Sequence, residues 1–188
     1  MNGPRQDEYH RLKGAYLRLR AALRDPVTGL YSFTVHFDDV RALLRDRSHV
    51  GVVWVSLGDR QMIEAVYGWQ AYDQLLARAA ELLEELRAES LGDEAVLSIL
   101  GVHADAFVLF VPGREGESAM DSTRLVALTQ DIERQLDRSL REHGLPEDLF
   151  PGGIRVGGTL LSELLFCRFE RRVYHALREA RFLVARVR

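Results

Sequence analysis

The sequence predicts one α+β domain carrying an N-terminal helical arm, and three observations carry that expectation. Two short apolar runs, 95–100 and 105–111, are separated only by a tight turn at 101–104 and read as a hairpin. The run Gly51-Val-Val-Trp-Val-Ser-Leu57 is rich in β-branched residues and reads as a buried central strand. Amphipathic helical patterns separate these runs, giving the order helix, helix, β, α, β, β, α, β, α, β.

Each element follows from local pattern. Residues 6–24 read as a helix with Tyr9, Leu12, Tyr16, Leu19 and Leu23 at spacings of three and four. Asp25-Pro26 ends it, because the residue before proline is pushed out of the α region. This narrow seam fits either a partner helix or the chain's own domain, and a two-stranded contact is the preferred reading. A second helix spans 33–45, with Phe33, Phe37, Val40 and Leu44 on one face. Helical spacing resumes at Gln61 and runs, with a break near Gly68, to about Ala88. Residues 112–118 are loop by composition, and Asp121 or Ser122 caps a long helix that ends near Gly144. A strand at 154–160, a helix from about 164 to 179 and a terminal strand at 182–187 complete the series. The expected division is therefore an arm, 1–24, and a domain, 25–188.

Composition excludes several function classes. Twenty-five Lys+Arg stand against 28 Asp+Glu in 188 residues, a net charge of −3. That balance argues against nucleic-acid binding, which needs a clustered basic surplus. No apolar run approaches the roughly 18 residues of a membrane span, so no membrane insertion is expected. The opening residues MNGPRQDEYHRLKG lack the apolar core of a signal peptide, and the cytoplasm is the expected compartment. One cysteine, Cys167, permits no intrachain disulfide and no cysteine-based zinc site. The glycine-rich run 152–158 resembles a phosphate loop only by glycine count and reads as turn plus strand.

Four strings carry a resemblance. Arg24-Asp-Pro-Val-Thr-Gly-Leu-Tyr31 is followed by the stretch from Ser56 to Asp73, which includes Gly68. His103-Ala-Asp-Ala-Phe107 sits in the hairpin, and Val173-Tyr-His-Ala176 lies near the C-terminus. In this order and spacing they resemble the D-x-L-T-G-L-x-N, D-x-D-x-F-K-x-x-N-D-x-x-G-H-x-x-G-D, G-G-[DE]-E-F and A-L-Y-x-A-K strings of GGDEF domains. The resemblance covers about residues 24–188 and implies the diguanylate cyclase palm, a mainly antiparallel sheet flanked by helices.

The same resemblance implies a degenerate site. In that family, two GTP-loaded domains meet and each 3′-hydroxyl attacks the partner's α-phosphate, with two metal ions held by carboxylates. Here Ser56 and Gly58 stand at the two acids of D-x-D, and the signature reads His103, Ala104, Asp105, Ala106 and Phe107. Glu64 replaces the guanine-contacting Asn, Arg60-Gln61 replaces Phe-Lys, and Leu177 replaces a phosphate-binding Lys. Asp73, Asp105 and Arg181 remain as remnant nucleotide contacts, although helix capping by Asp73 and turn stabilisation by Asp105 are the preferred roles. His103 reads as an exposed turn histidine rather than a metal ligand, Trp69 as a cover for the vacated pocket, and Tyr174 as core packing. The product-inhibition R-x-x-D falls on Glu94 and Leu97, while Arg134–Asp137 matches that pattern by chance on another helix. One carboxylate cannot hold two hard cations, so no metal and no cofactor are expected.

The functional expectation is a non-catalytic signalling or scaffold protein without diguanylate cyclase activity. Its partner would be another signalling, polarity or motility protein, or a second copy through the seam of the N-terminal helix. The alternative is a sensor that binds GTP or cyclic di-GMP without turning it over.

Overall fold

The computed structural model describes residues 4–113, 120–142, 153–162 and 167–186. At its centre lies β1 (His49–Leu57), where Val50, Val52, Val53 and Val55 have no solvent exposure. A strand covered on both faces must be apolar at nearly every position, which is why its sequence does not alternate. Strand β1 pairs antiparallel with β3 (Ala106–Pro112) on one side and β4 (Ile154–Ser162) on the other. The short β2 (Val96–Ile99) adds to β3, giving the order β2-β3-β1-β4. The expected hairpin and antiparallel palm are both present.

The period-two alternation of the strands sorts the core into two layers. Val53, Val55, Leu57, Phe107 and Leu109 face α4 (Trp69–Leu86) and α5 (Ser122–Glu142), which supply Leu75, Leu83, Leu125, Ile132 and Leu136. Val50, Val52, Trp54, Val108 and Phe110 face α2 (Phe37–Arg47) and α6 (Phe169–Arg186), which supply Val40, Leu44, Val173, Ala176, Leu177 and Ala180. Helix α5 approaches β4 closely: a Cβ on Gly158 would stand 2.9 Å from Thr129 Cγ2. Gly158 thus serves strand packing, in line with the strand part of the turn-plus-strand reading, whose first residue, 152, lies outside the described residues.

Several boundaries differ from expectation. Helix α1 covers Pro4–Ala22, so Leu23 lies just beyond it. The second helix begins as a single 3₁₀ turn, Phe33–His36, before α2. Gly68, at φ 85°, separates α3 (Arg60–Tyr67) from α4, and a π turn at Arg87–Leu91 follows α4. The terminal strand expected at 182–187 is replaced among the described residues by helix, because α6 continues through Arg186. The run Phe-Leu-Val mimics a strand, but no glycine or proline follows Glu179 to stop the helix. The loop expected over 112–118, the helix end at Gly144 and the helix start near 164 fall wholly or partly outside the described residues. No helix among the described residues is long and apolar enough to cross a membrane.

Candidate functional site

The edge of the sheet where β1 ends is the focus of the motif-bearing segments. Register places Ser56 opposite Ala106 on one side and Arg155 on the other. Beyond Leu57 the chain turns at Gly58, with φ 45°, whose N–H bonds Gly153 O at 3.1 Å. Asp59 then caps α3: its Oδ1 accepts from the N–H groups of Gln61 at 3.0 Å and Met62 at 3.3 Å. A helix N-terminus of this kind is a natural phosphate seat. In this chain, its own carboxylate occupies it.

The next turn of α3 is also engaged internally. Arg60 Nε donates to Glu64 Oε1 at 2.7 Å, and the guanidinium lies 5.5 Å from the centre of the Tyr72 ring. The Glu64 hydrogen bond holds Arg60 above its ordinary value. Burial, followed by the charge of Asp105, pushes the Tyr72 hydroxyl well above the usual tyrosine range. Arg60, Glu64, Tyr72 and Asp105 therefore form one electrostatic group around the start of α3 and the hairpin turn. Asp105 is exposed and makes no hydrogen bond or ion pair among the described residues, acting on Arg60 and Tyr72 through its charge.

The hairpin turn is anchored from the far end of the sequence. Asp25 is 1% exposed. Its Oδ1 accepts from the N–H of Val27 at 3.1 Å, the N–H of Thr28 at 2.8 Å and the Thr28 hydroxyl at 3.0 Å. Its Oδ2 accepts from the His103 N–H at 2.9 Å. His103 holds a left-handed backbone, φ 62°, which glycine would adopt without strain. The anchor of the turn is thus Asp25, not Asp105 as expected. Burial alone would raise the Asp25 carboxyl, but the bonds from Thr28, His103 and Val27 outweigh it and hold the carboxyl below its ordinary value.

Other expected residues are placed as follows. Asp73 lies half-buried within α4 and does not cap it, since Gly68 occupies the cap position. Arg181 is exposed on α6, with its guanidinium 5.7 Å from the Trp54 ring centre. Trp54 and Ser56 alternate onto the same face of β1. Leu177 is 3% exposed within the layer beneath α6, so it packs the core instead of projecting toward a phosphate. Phe107, in the signature, is wholly buried.

Trp69 corrects an expectation: at 60% exposure it covers no pocket, because it opens α4 on the outer side of the Gly68 break. Tyr174 is 53% exposed, although one edge meets Phe33 with ring centres 5.3 Å apart. Core packing is therefore only half of its environment. Glu94 is paired with Arg47 at 2.8 Å, and Leu97 is buried. Arg134 pairs with Asp131, and Asp137 with Arg141, so the chance R-x-x-D forms no unit. On α1, Tyr9, Leu12, Tyr16 and Leu19 are all exposed. Arg20 and Arg24 lie over the Tyr31 ring at 5.0 and 5.9 Å and tie the end of α1 to the domain.

The residues at this edge do not fit a pair of divalent cations. Ser56 and Ala106 present a hydroxyl and a methyl where two carboxylates would be required, and hard cations need several oxygen ligands. Among the described residues, no three His, Cys, Asp or Glu side chains come together as a cation site. Asp59 and the Arg60–Glu64 pair were not singled out from sequence. Their signals were nonetheless present: an aspartate just before a helical run, and opposite charges four residues apart.

No family model matches the chain, and no curated protein matches it. Solved structures do match. The GGDEF domain of FimX from Pseudomonas aeruginosa is 20% identical, with a TM-score of 0.58 over 87% of this chain and 94% of that one. The coiled coil and GGDEF domain of DgcB from Caulobacter crescentus, in complex with c-di-GMP, is 15% identical. Its TM-score is 0.57, over 91% of this chain and 85% of that one. The diguanylate cyclase SiaD, in complex with its activator SiaC from Pseudomonas aeruginosa, is 13% identical. Its TM-score is 0.59, over 97% of this chain and 69% of that one. With the antiparallel order β2-β3-β1-β4, the hairpin beside β1 and the helices on both faces, the chain has the fold of a GGDEF domain.

Proposed function

We propose that this chain is a non-catalytic signalling module that uses a GGDEF fold for protein–protein contact and has no diguanylate cyclase activity. The pairing of Ser56 with Ala106 carries the reading. Phosphoryl transfer is mostly positioning and charge neutralisation, so an edge without paired acids cannot organise the metals it needs. Two further features support it: Asp59 occupies the α3 N-terminus, and Arg60 engages Glu64. Purified protein with GTP and Mg²⁺ or Mn²⁺ should form no cyclic di-GMP. Product above the enzyme-free background that Asp105→Asn removes would overturn the proposal.

The contact surface is assigned to the arm, residues 1–24, with 25–188 as the domain it serves. Tyr9, Leu12, Tyr16 and Leu19 are 57–63% exposed along one helix, an apolar seam with little cover from its own chain. A diguanylate cyclase of this fold bound to its activator, and a GGDEF domain with a coiled coil, are the relevant parallels. The partner is a second copy or another cytoplasmic signalling protein. Leu12→Asp with Leu19→Asp puts carboxylates into the seam, where burial without a partner costs several kcal/mol. Light scattering should show self-association lost, or partner capture abolished; unchanged mass together with unchanged capture would sink the assignment.

The exposed Asp105, without a hydrogen bond among the described residues, favours one second reading, a sensor that holds GTP or cyclic di-GMP through Asp73, Asp105 and Arg181 without turnover. Micromolar binding in calorimetry, lost in Arg181→Ala, would promote that reading over the first.

A further inference from the structure

Exposed apolar side chains gather at two places on this molecule. Of the thirteen large apolar residues exposed among the described residues, five lie on α1 and four surround the Gly68 break. Met62 and Val66 stand one turn apart on α3, at 47% and 67% exposure, and Tyr67 and Trp69 flank the glycine. Exposed apolar residues scattered singly need no explanation, but four within eight residues mark a contact surface. Tryptophan, tyrosine and methionine are also the side chains enriched at the centres of protein interfaces.

The two surfaces carry opposite charge. Helix α1 holds five bases against two acids, and Lys13, next to Leu12 of the seam, is exposed without an ion pair among the described residues. Around the Gly68 patch stand Asp59, Glu64, Asp73 and Asp105, with Arg60 as the one base between Asp59 and Asp73, already held by Glu64 at 2.7 Å. Asp105, Glu64 and Asp59 all act by charge on the Tyr72 hydroxyl, so these three acids face one region. Asp73 follows Trp69 by one turn of α4 and makes no hydrogen bond or ion pair among the described residues.

Size and position match as well. From Tyr9 to Leu19 the seam is about 15 Å long, and the eight residues of α3 span about 12 Å, at about 1.5 Å per residue. Just past α1, Asp25 Oδ2 accepts from the His103 N–H at 2.9 Å, and Asp105 lies two residues further on. The root of α1 and the acids beside the patch therefore meet at the hairpin turn. Within one chain the seam stays exposed, so α1 does not cover its own patch. With root and patch at the same edge, a two-fold partner that receives one α1 returns its own.

We propose that α1 of each copy docks on the Gly68 patch of a second copy, its seam against Met62, Val66 and Trp69 and its bases toward the acids around them. Docking of this kind rests on α1 being the contact surface, and it replaces seam-against-seam pairing with seam against patch. Apolar area drives the contact, while the opposite charges fix which surface meets which.

Sedimentation velocity on the full chain tests it. The parent should run as two copies. Trp69→Asp and Val66→Asp change exposed positions and leave the core untouched, and each should weaken self-association by about thirtyfold or more, the scale of an interface hot spot. Leu12→Asp with Leu19→Asp should weaken it as much. Mixing decides the geometry. The Trp69→Asp protein keeps its seam and the Leu12→Asp, Leu19→Asp protein keeps its patch, so together they retain one whole contact. The mixed pair should associate at least about tenfold more tightly than either variant with itself. Loss of association in the α1 variant alone, with Trp69→Asp and Val66→Asp like the parent, would mean that seam pairs with seam; that overturns the proposal and leaves α1 as the contact surface. A mixture no tighter than its components, or a parent that stays monomeric, overturns the proposal too, and capture of a different partner through α1 would then decide the role of the arm.

Discussion

The two ends of β1 obey different rules. From Val50 to Val55 each side chain except Gly51 fills one of two apolar layers, and the chemistry demanded is only size and apolarity. From Ser56 to Arg60, the buried Leu57 apart, the demand is for particular polar groups at particular atoms, and there the chain departs from the cyclase pattern. Many residues share the first task, so the fold survives wide drift; at 13–20% identity to solved GGDEF domains the palm is intact. Single residues carry the second task, so one replacement changes which polar group is on offer. The two segments are neighbours in the chain, yet one carries the fold and the other the departure from the cyclase pattern.

The sharpest way to break this contrast is to damage the apolar end of the site itself. Phe107 belongs to the signature string but is wholly buried against Val55, Leu57 and α4. Phe107→Ala should cost about 3–5 kcal/mol in urea unfolding, the range for large-to-small core changes. A loss under about 1 kcal/mol would mean that even the fold-bearing residues here are dispensable.

Asp25 stands next, because it is a polar residue that serves the fold. Removing its carboxylate leaves the part-buried N–H groups of Thr28 and His103 without their acceptor, at about 1 kcal/mol each. Its folded carboxyl titrates below the unfolded value of about 3.9, so its contribution is present at neutral pH. That contribution fades as the pH falls below 4 and the folded carboxyl takes up its proton. Asp25→Ala should therefore be less stable at pH 7 and should lose less than the parent on acidification, as followed by circular dichroism. Parallel acid profiles for the two proteins would show that the turn is not held through this carboxylate.

The legibility of the sequence follows the same divide. Strands β1, β2 and β3 and the helical stripes of α2, α4 and α5 could be read because periodicity is repeated over many residues. The strand expected at 182–187 failed because a short apolar run has the same composition in a helix as in a strand, and only its continuity with α6 decides. At the site, the missing acids were visible as substitutions at Ser56, Gly58 and Ala106. What replaced them was not visible. That Asp59 turns back to cap α3, that Arg60 engages Glu64, and that Asp25 reaches a turn 78 residues away are facts of three-dimensional placement. Trp69 reads from sequence as a pocket cover, yet it opens α4 just past Gly68 and is exposed.

The smallest effect is expected where the cyclase pattern asks for the most important acid. Ser56 is half-buried at the rim, with Ala106 on one side and Arg155 on the other. Ser56→Asp creates no clash with a like charge across either pairing, and an opposite charge across strands contributes about 0.2–1 kcal/mol at most. The variant should therefore melt within about 0.5 kcal/mol of the parent. Manganese should not alter that melt, because a single new carboxylate facing a methyl offers too few oxygens for a hard cation. If Mn²⁺ raised the melting temperature of Ser56→Asp but not of the parent, a second ligand would have to be in place, with Asp105, next to Ala106 in the chain, as a candidate. One substitution would then have rebuilt a metal site, and the polar end of β1 would be as tolerant of drift as the apolar one.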